Sequence, residues 1–155
     1  MKRICILLIG SLLAVAAAAT AATADRGASS AGAAGVFTVE LHKTKLGKVL
    51  TTASGFTLYE FTKDGPKKDV CAKIKGCLTV WPAMESASKP TAGPGVRAAL
   101  LSTIELPGGT HQVTYAGHPL YIYSDDSGPG QTAYVGIKQF GGTWEAVSAS
   151  GRAVK

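Results

Sequence analysis

The chain has 155 residues, with 16 Lys and Arg against 10 Asp and Glu, and 46% of its residues are hydrophobic. That length suits one ordinary domain with a single core. The charge excess is modest and no recognisable nucleic-acid module accompanies it, so DNA and RNA binding are set aside.

The N-terminus has the pattern of a secretory signal peptide. Lys2 and Arg3 precede an apolar run over residues 4–15, and small residues lead to an Ala-x-Ala site that ends at Ala24. The apolar run is shorter than the roughly 20 residues of a spanning helix, so we predict a signal peptide over 1–24 and no transmembrane segment in the mature chain. Cys5 lies too early for a lipid anchor, which predicts a soluble secreted or periplasmic protein. Residues 25–35 are small and predict a flexible stem.

From residue 36 the sequence has the pattern of β-strands. Apolar residues alternate with others over 36–42 and predict the first strand. Residues 48–52 and 56–61 flank Gly55 and predict a hairpin, because glycine allows the positive φ of a tight turn. The second of these strands is apolar on both faces, so we expect it to be covered on both sides.

The second half of the chain has the same pattern of short strands separated by turns. Residues 96–101 predict one helical turn or the entry to a strand. Residues 102–106 and 110–115 predict a hairpin around Pro-Gly-Gly, and further strands are expected at 118–123 and 141–147. No long apolar run has helical spacing, so the prediction is an all-β, loop-rich domain over residues 36–150.

A short phrase occurs twice, as LYEFTKDGP (58–66) and LYIYSDDSGPG (120–130). Tyr59 and Tyr121 are 62 residues apart, and so are Asp64 and Asp126. A tryptophan follows each of these aspartates, after 17 residues in the first half and 18 in the second. We therefore predict two related hairpin units, at about 44–85 and 108–150, that bury a shared apolar face.

The repeated phrase supplies the candidate functional residues. In one interpretation the aromatic residues form core and each aspartate caps the Gly-Pro turn that follows it. In the other, the tyrosines and aspartates line a groove shared across a pseudo-twofold axis. The candidates are Tyr59, Phe61, Asp64, Tyr121, Tyr123 and Asp126.

Export predicts a disulfide between Cys71 and Cys77, the two cysteines that remain after signal removal. Their Cys-x5-Cys spacing is not that of a thioredoxin-type pair, and no second pair completes a zinc site. The surrounding segment, 63–75, is basic. Such a segment suits an acidic polymer or lipid head groups, or is simply a solvated loop.

Catalytic and metal-binding signals are sparse. No nucleophile elbow and no phosphate-cradling loop is present, which predicts a non-enzymatic protein without a cofactor. A hydrolase acting through Asp126 or Asp125 is the weaker alternative. His118 and His111, perhaps with Met84, are weak candidate ligands and leave open a copper or haem accessory role.

Several of these motifs together resemble the bacterial secreted-repeat family of predicted lipoproteins, which has a Tyr-x-(Phe/Trp/Tyr)-x-x-Asp motif. The resemblance covers about residues 44–150. The matching residues are 46–51, 55–64, Cys71, Cys77, Trp81-Pro82, 117–123, Asp126 and 140–144.

The resemblance implies an extracytoplasmic bacterial module built from small β-rich repeats, often attached to the envelope by lipid. Its role in the family is uncharacterised, so no catalytic residue is transferred. We expect a binding or structural module whose partner is an envelope polymer or an envelope protein.

Overall fold

The computed structural model describes residues 36–155, so the predicted signal peptide and stem lie outside the described residues. Within that range strands predominate and the helical segments are single turns. The helical segments are 3₁₀ turns at Cys71–Lys73 and Ala98–Leu100 and the four-residue helix α1 (Cys77–Val80). The strands are β1 (Thr38–Thr44), β2 (Gly47–Thr52), β3 (Tyr59–Phe61), β4 (Thr91–Ala92), β5 (Leu101–Glu105), β6 (His111–Tyr115), β7 (His118–Pro119), β8 (Lys138–Gln139), β9 (Gly142–Val147) and β10 (Ala153–Val154).

The described strands form three small sheets. The first has the order β2-β1-β4, with β1 and β2 antiparallel and β1 and β4 parallel. The second has the order β10-β9-β3, with β8 also paired to β9, and the third has the order β5-β6-β7. The all-β class and the Cys71–Cys77 disulfide are therefore as predicted.

The first predicted hairpin forms only next to its turn, where Thr51 and Thr57 pair as an antiparallel bridge, and it does not extend into β3. β2 pairs along its whole length with β1, and β3 pairs with β9, far along the chain. Only the bonds around Gly55 keep the hairpin geometry, including the N–H of Leu58 donating to Leu50 at 2.9 Å. The apolar character of both faces of β3 explains this outcome, because such a strand gains more from a central position than from a local edge.

The second predicted hairpin is confirmed, since β5 and β6 pair in register from Leu101↔Tyr115 to Glu105↔His111. The helical turn expected before it is the 3₁₀ turn ending at Leu100. The strand expected at 118–123 is regular only over β7, and the strand expected to be last, β9, is followed by β10.

Two buried clusters form the core. One is aliphatic and joins Leu50 and Leu58 to Leu101, Val113 and Leu120. The other is aromatic and contains the repeated motif. Its buried members are Tyr59, Phe61, Cys71, Cys77, Trp81, Tyr121 and Trp144. No helix among residues 36–155 has the length and apolar character needed to cross a bilayer.

Candidate functional site

The two copies of the motif meet at their tyrosines. Tyr59 and Tyr121 face each other as an antiparallel bridge, and each backbone N–H donates to the other residue's carbonyl at 2.9 Å. This reciprocal pairing is the relation that a local twofold axis between the two repeats would produce.

The side chains of the motif repeat the reciprocity. The hydroxyl of Tyr121 donates to Asp64 Oδ2 at 2.7 Å, and the hydroxyl of Tyr59 donates to Asp126 Oδ2 at 3.1 Å. Each tyrosine therefore binds the aspartate of the other repeat, so the two repeats are joined by a pair of exchanged hydrogen bonds.

The stacking contacts of the aromatic rings also cross from one repeat to the other. The indoles of Trp81 and Trp144 are stacked, with centroids 3.9 Å apart and planes 2° apart. Phe61 stacks on Trp144 at 4.3 Å, and Tyr123 lies on Trp81 at 4.5 Å. Each tryptophan is thus covered by an aromatic ring from the other repeat. The edge-on contacts are Tyr59 to Trp81 at 5.2 Å and Tyr121 to Trp144 at 5.1 Å.

Burial shifts the titration of these groups. Loss of solvent raises the pKa of Asp64 to about 6, although its bond from Tyr121 opposes the shift. Burial likewise raises the pKa of Asp126 to about 6, against the bond from Tyr59. The pKa values of both tyrosines are raised, first by burial and then by the neighbouring carboxylates.

These positions agree with one part of the first interpretation, because Tyr59, Phe61 and Tyr121 belong to the core. The aspartates do more than cap their own turns, since Asp64 and Asp126 accept tyrosine hydroxyls from the other repeat. Tyr59, Phe61 and Tyr121 are shielded from solvent, so they do not line an open groove. The pseudo-twofold relation is present, but the motif residues form an interior junction, with Tyr123 half-buried at its margin.

The loop after Asp64 is held by three local constraints. Asp64 Oδ1 accepts the N–H of Val70 at 2.7 Å, and Asp69 Oδ1 accepts the N–H of Ala72 at 2.7 Å. The disulfide joins Cys71 to Cys77 with their Cα atoms 5.4 Å apart. These constraints fix the backbone of the loop and leave its lysine side chains outward.

The histidines proposed as ligands are not brought together. His118 pairs with Tyr115 at one end of β6, while His111 begins that strand, about 13 Å away at the usual rise per residue. Met84 packs against the aliphatic cluster. Among residues 36–155 no group of three His, Cys, Asp or Glu side chains is placed to hold a metal ion.

Sequence reasoning missed a pair of acidic residues. Glu60 on β3 and Glu145 on β9 are directly opposite in register, and both are buried. Burial, and then the charges of Glu145 and Asp64, raise the pKa of Glu60 to about 7. His118 Nδ1 lies 3.7 Å from Glu60 Oε2. An acid between two aromatic residues, in Tyr-Glu-Phe, was the available signal.

Two surface pockets carry lysines. One, about 560 Å³, lies beside the β8–β9 hairpin. Another of about 200 Å³ is lined in part by Lys67, Lys68 and Lys73 of the disulfide loop, residues 63–77, and by two acidic residues, Asp69 and Glu105. The two pockets therefore place lysines on the described surface, while the motif tyrosines are buried.

Comparison with known proteins identifies the family. The family model described as a secreted repeat of unknown function matches residues 41–85 and 102–148, more than half of the chain. The chain therefore belongs to this family of secreted repeats, and the resemblance inferred from its motifs is confirmed. No curated protein and no solved structure matches it.

Proposed function

We propose that this secreted repeat protein is a non-enzymatic module that binds an anionic polymer of the cell envelope. Support comes from the separation of charge between its surface and its interior. All 13 Lys and Arg residues in the range 36–155 are exposed, whereas only three of the nine Asp and Glu residues in that range are exposed. Those three are Glu85, Glu105 and Asp125.

The buried acidic side chains contribute less negative potential at the surface than exposed ones would. Glu60, Asp126 and Glu145 are buried and Asp64 is half-buried. With the pKa of Glu60 raised to about 7 and those of both aspartates to about 6, a fraction of this charge is neutralised by protons near neutral pH. The surface potential is therefore more positive than the sequence charge suggests, which favours a polyanionic partner.

The disulfide loop is the best-organised basic surface. Five lysines fall within the 13 positions from 63 to 75 and are all exposed: Lys63, Lys67, Lys68, Lys73 and Lys75. The disulfide and the inward-pointing aspartates hold the loop backbone, so little conformational freedom remains to be lost on binding. Several ammonium groups carried on one constrained segment suit a polymer with repeated anions better than a single small ligand.

The motif carboxylates support a binding role over a hydrolytic one. Asp126 is buried and accepts the Tyr59 hydroxyl, and Asp64 accepts the Tyr121 hydroxyl. A glycoside hydrolase needs two carboxyl groups facing its substrate. In this protein the paired aspartates instead join the two repeats.

The test is binding of the mature protein to isolated cell walls and to two defined polyanions, polyphosphate and polygalacturonate, over a range of NaCl concentrations. We expect binding at low salt that weakens as salt screens the charges. The triple variant Lys67→Glu/Lys68→Glu/Lys73→Glu should lose at least tenfold in affinity. Absence of binding to the cell walls and to both polyanions at low salt would overturn the proposal.

A charge-matched control comes from the β1–β2 hairpin. Lys43→Glu/Lys45→Glu/Lys48→Glu changes the net charge by the same amount on three exposed side chains outside the loop. We expect a clearly smaller loss from this variant. Equal losses would contradict the assignment of the loop as the binding surface.

A further inference from the structure

The 560 Å³ pocket lies between the end of β3 and the β8–β9 hairpin. Its lining combines one aromatic ring, one cation, two hydroxyls, an amide and glycine backbone. The lining residues are Thr62, Lys138, Gln139, Phe140, Gly141, Gly142 and Thr143.

The aromatic residue of the β8–β9 hairpin has an unusual backbone conformation. Phe140 and Gly141 form the two-residue turn between β8 and β9, with φ of 55° and 79°. A bulky side chain in the left-handed region is uncommon and carries strain, and such strain concentrates at functional positions. Asn or Gly would suit the turn better, so Phe140 is not explained by the turn itself.

The floor of the pocket is fixed by the aromatic core. A Cβ atom on Gly142 would lie 2.5 Å from a ring carbon of Phe61, so only glycine fits at this position. The hairpin backbone therefore rests directly on the stacked rings of the junction. This contact holds the pocket in shape before any ligand arrives.

Two cations border the pocket. Lys138 is part of the lining, and Lys63 Nζ is 3.1 Å from the point where a Cβ atom of Gly141 would be. Both side chains are exposed. An anionic group placed between them would meet two ammonium groups.

Gln139 is part of the pocket lining, and its Oε1 accepts the indole N–H of Trp81 at 2.7 Å. Because the oxygen is the acceptor in this bond, the Nε2 amino group keeps its two donors. Gln139 thus connects the pocket to the tryptophan pair.

We propose that this pocket binds one pyranose unit that carries a carboxylate or phosphate group, within the anionic polymer of the proposed function, on which the inference rests. The anion binds Lys63 and Lys138, and the C–H face of the sugar packs on the Phe140 ring. The Gln139 amino group donates to a sugar hydroxyl. The lysine loop supplies affinity along the polymer, and the pocket supplies recognition of its repeating unit.

The test uses tryptophan fluorescence, since the chain has two tryptophans and Trp81 is bonded to Gln139. The probes are trigalacturonate, glucose 1-phosphate and neutral galactotriose, each titrated into the mature protein. We expect saturable binding of at least one anionic sugar, at least tenfold tighter than the neutral trisaccharide. Equal affinity for the neutral sugar, or no fluorescence change with either anionic sugar, would overturn the inference.

The decisive variant is Phe140→Asn, because asparagine tolerates the left-handed turn. Phe140 also packs against the aromatic cluster, so chemical denaturation of the variant is measured beside its binding to show that it is folded. We expect at least a tenfold loss of anionic-sugar binding, with polyphosphate binding unchanged because polyphosphate has no sugar face. The double variant Lys63→Gln/Lys138→Gln should give a similar loss, and the charge-matched control Lys45→Gln/Lys48→Gln should not. Unchanged sugar affinity in Phe140→Asn would refute the site.

The two proposals fail in different ways. If cell walls and polyanions bind but neither anionic sugar perturbs the fluorescence, the pocket assignment is wrong and the proposed function stands. If no polyanion binds, the proposed function is wrong, and with it the inference.

Discussion

The two repeats contribute matched halves to one junction but support their tryptophans by different means. In the first repeat Trp81 directly follows α1, whose first residue, Cys77, is bonded to Cys71. In the second, Trp144 lies within β9, next to the β8–β9 hairpin. A nearby disulfide therefore constrains the backbone at Trp81, whereas strand pairing constrains the backbone at Trp144.

The indole nitrogens differ as well. Trp81 Nε1 donates to Gln139, whereas Trp144 Nε1 is buried and has no hydrogen-bond partner among the described residues. Symmetry is thus strict in the exchanged Tyr–Asp bonds and ring contacts, and relaxed in what surrounds them. Both repeats supply the interior of the junction, whereas the residues around it differ between the repeats.

Removing either indole should have the largest effect. Trp81→Ala and Trp144→Ala each delete a fully buried ring that is stacked on the other indole and contacts a further aromatic ring, so we expect losses of about 3–5 kcal/mol in the free energy of unfolding. Chemical denaturation measures both values. A loss below about 1 kcal/mol from either variant would contradict the junction as the centre of stability.

Replacing each indole by phenylalanine separates packing from hydrogen bonding. Trp81→Phe deletes the bond to Gln139, whereas Trp144→Phe deletes none. We expect Trp81→Phe to be the more destabilising by about 1 kcal/mol. The reverse order would show that the Gln139 bond does not distinguish the two repeats.

The disulfide is a support that the first repeat alone possesses. Replacing Cys71 and Cys77 by Ala removes the constraint that this short loop places on the unfolded chain, for an expected loss of about 2–3 kcal/mol. Unfolding of the variant compared with the oxidised protein measures it, and reduction of the unmutated protein provides the control. A reduced protein as stable as the oxidised one would contradict the prediction.

The two aspartates should respond unequally to the same change. Asp64 accepts both the Tyr121 hydroxyl and the Val70 N–H, whereas the side chain of Asp126 is bonded to Tyr59. We expect Asp64→Ala to cost about 2–3 kcal/mol and Asp126→Ala about 1–2 kcal/mol, because the first also releases the loop. Asp125→Ala, at an exposed position, is the control. Equal losses would show that the loop bond contributes nothing.

The pH dependence of stability should also differ between the two repeats, with a smaller effect than the substitutions above. The folded-state pKa values of Glu60, Asp64 and Asp126 are all raised, to about 7, 6 and 6, so the folded protein holds these protons more tightly than the unfolded chain. Their stabilising contribution is full below the unfolded values near 4 and is lost as the pH rises through 6 to 7. We therefore expect greater stability at pH 5 than at pH 8.

The repeats differ at this point because Glu60 in the first corresponds to Ile122 in the second, 62 residues on. Glu60→Gln removes the group that titrates nearest to neutrality and should flatten the stability profile between pH 6 and 8 by on the order of 1 kcal/mol. Thermal unfolding across this range measures the change. An unchanged profile would show that Glu60 does not titrate in the folded protein within this window.

Local features made much of the architecture predictable. Alternation and glycine turns predicted the β class and the 101–115 hairpin, because they act over a few residues. The repeat was visible as a constant offset, and the disulfide followed from the two cysteines that lie beyond the predicted signal peptide. The partner of β3 was not predictable, since its pairing with β9 depends on burial of both faces and not on the nearby Gly55.

Only the tertiary structure decided how the motif is used. An aspartate before Gly-Pro can cap its own turn, yet each binds a tyrosine 57 or 67 residues away, because the twofold meeting of the repeats brings those groups together inside the core. The tertiary structure also decided where the charged side chains lie. The sequence shows a modest excess of cations, and folding turns all the described cations outward and most of the acids inward, which makes the surface basic.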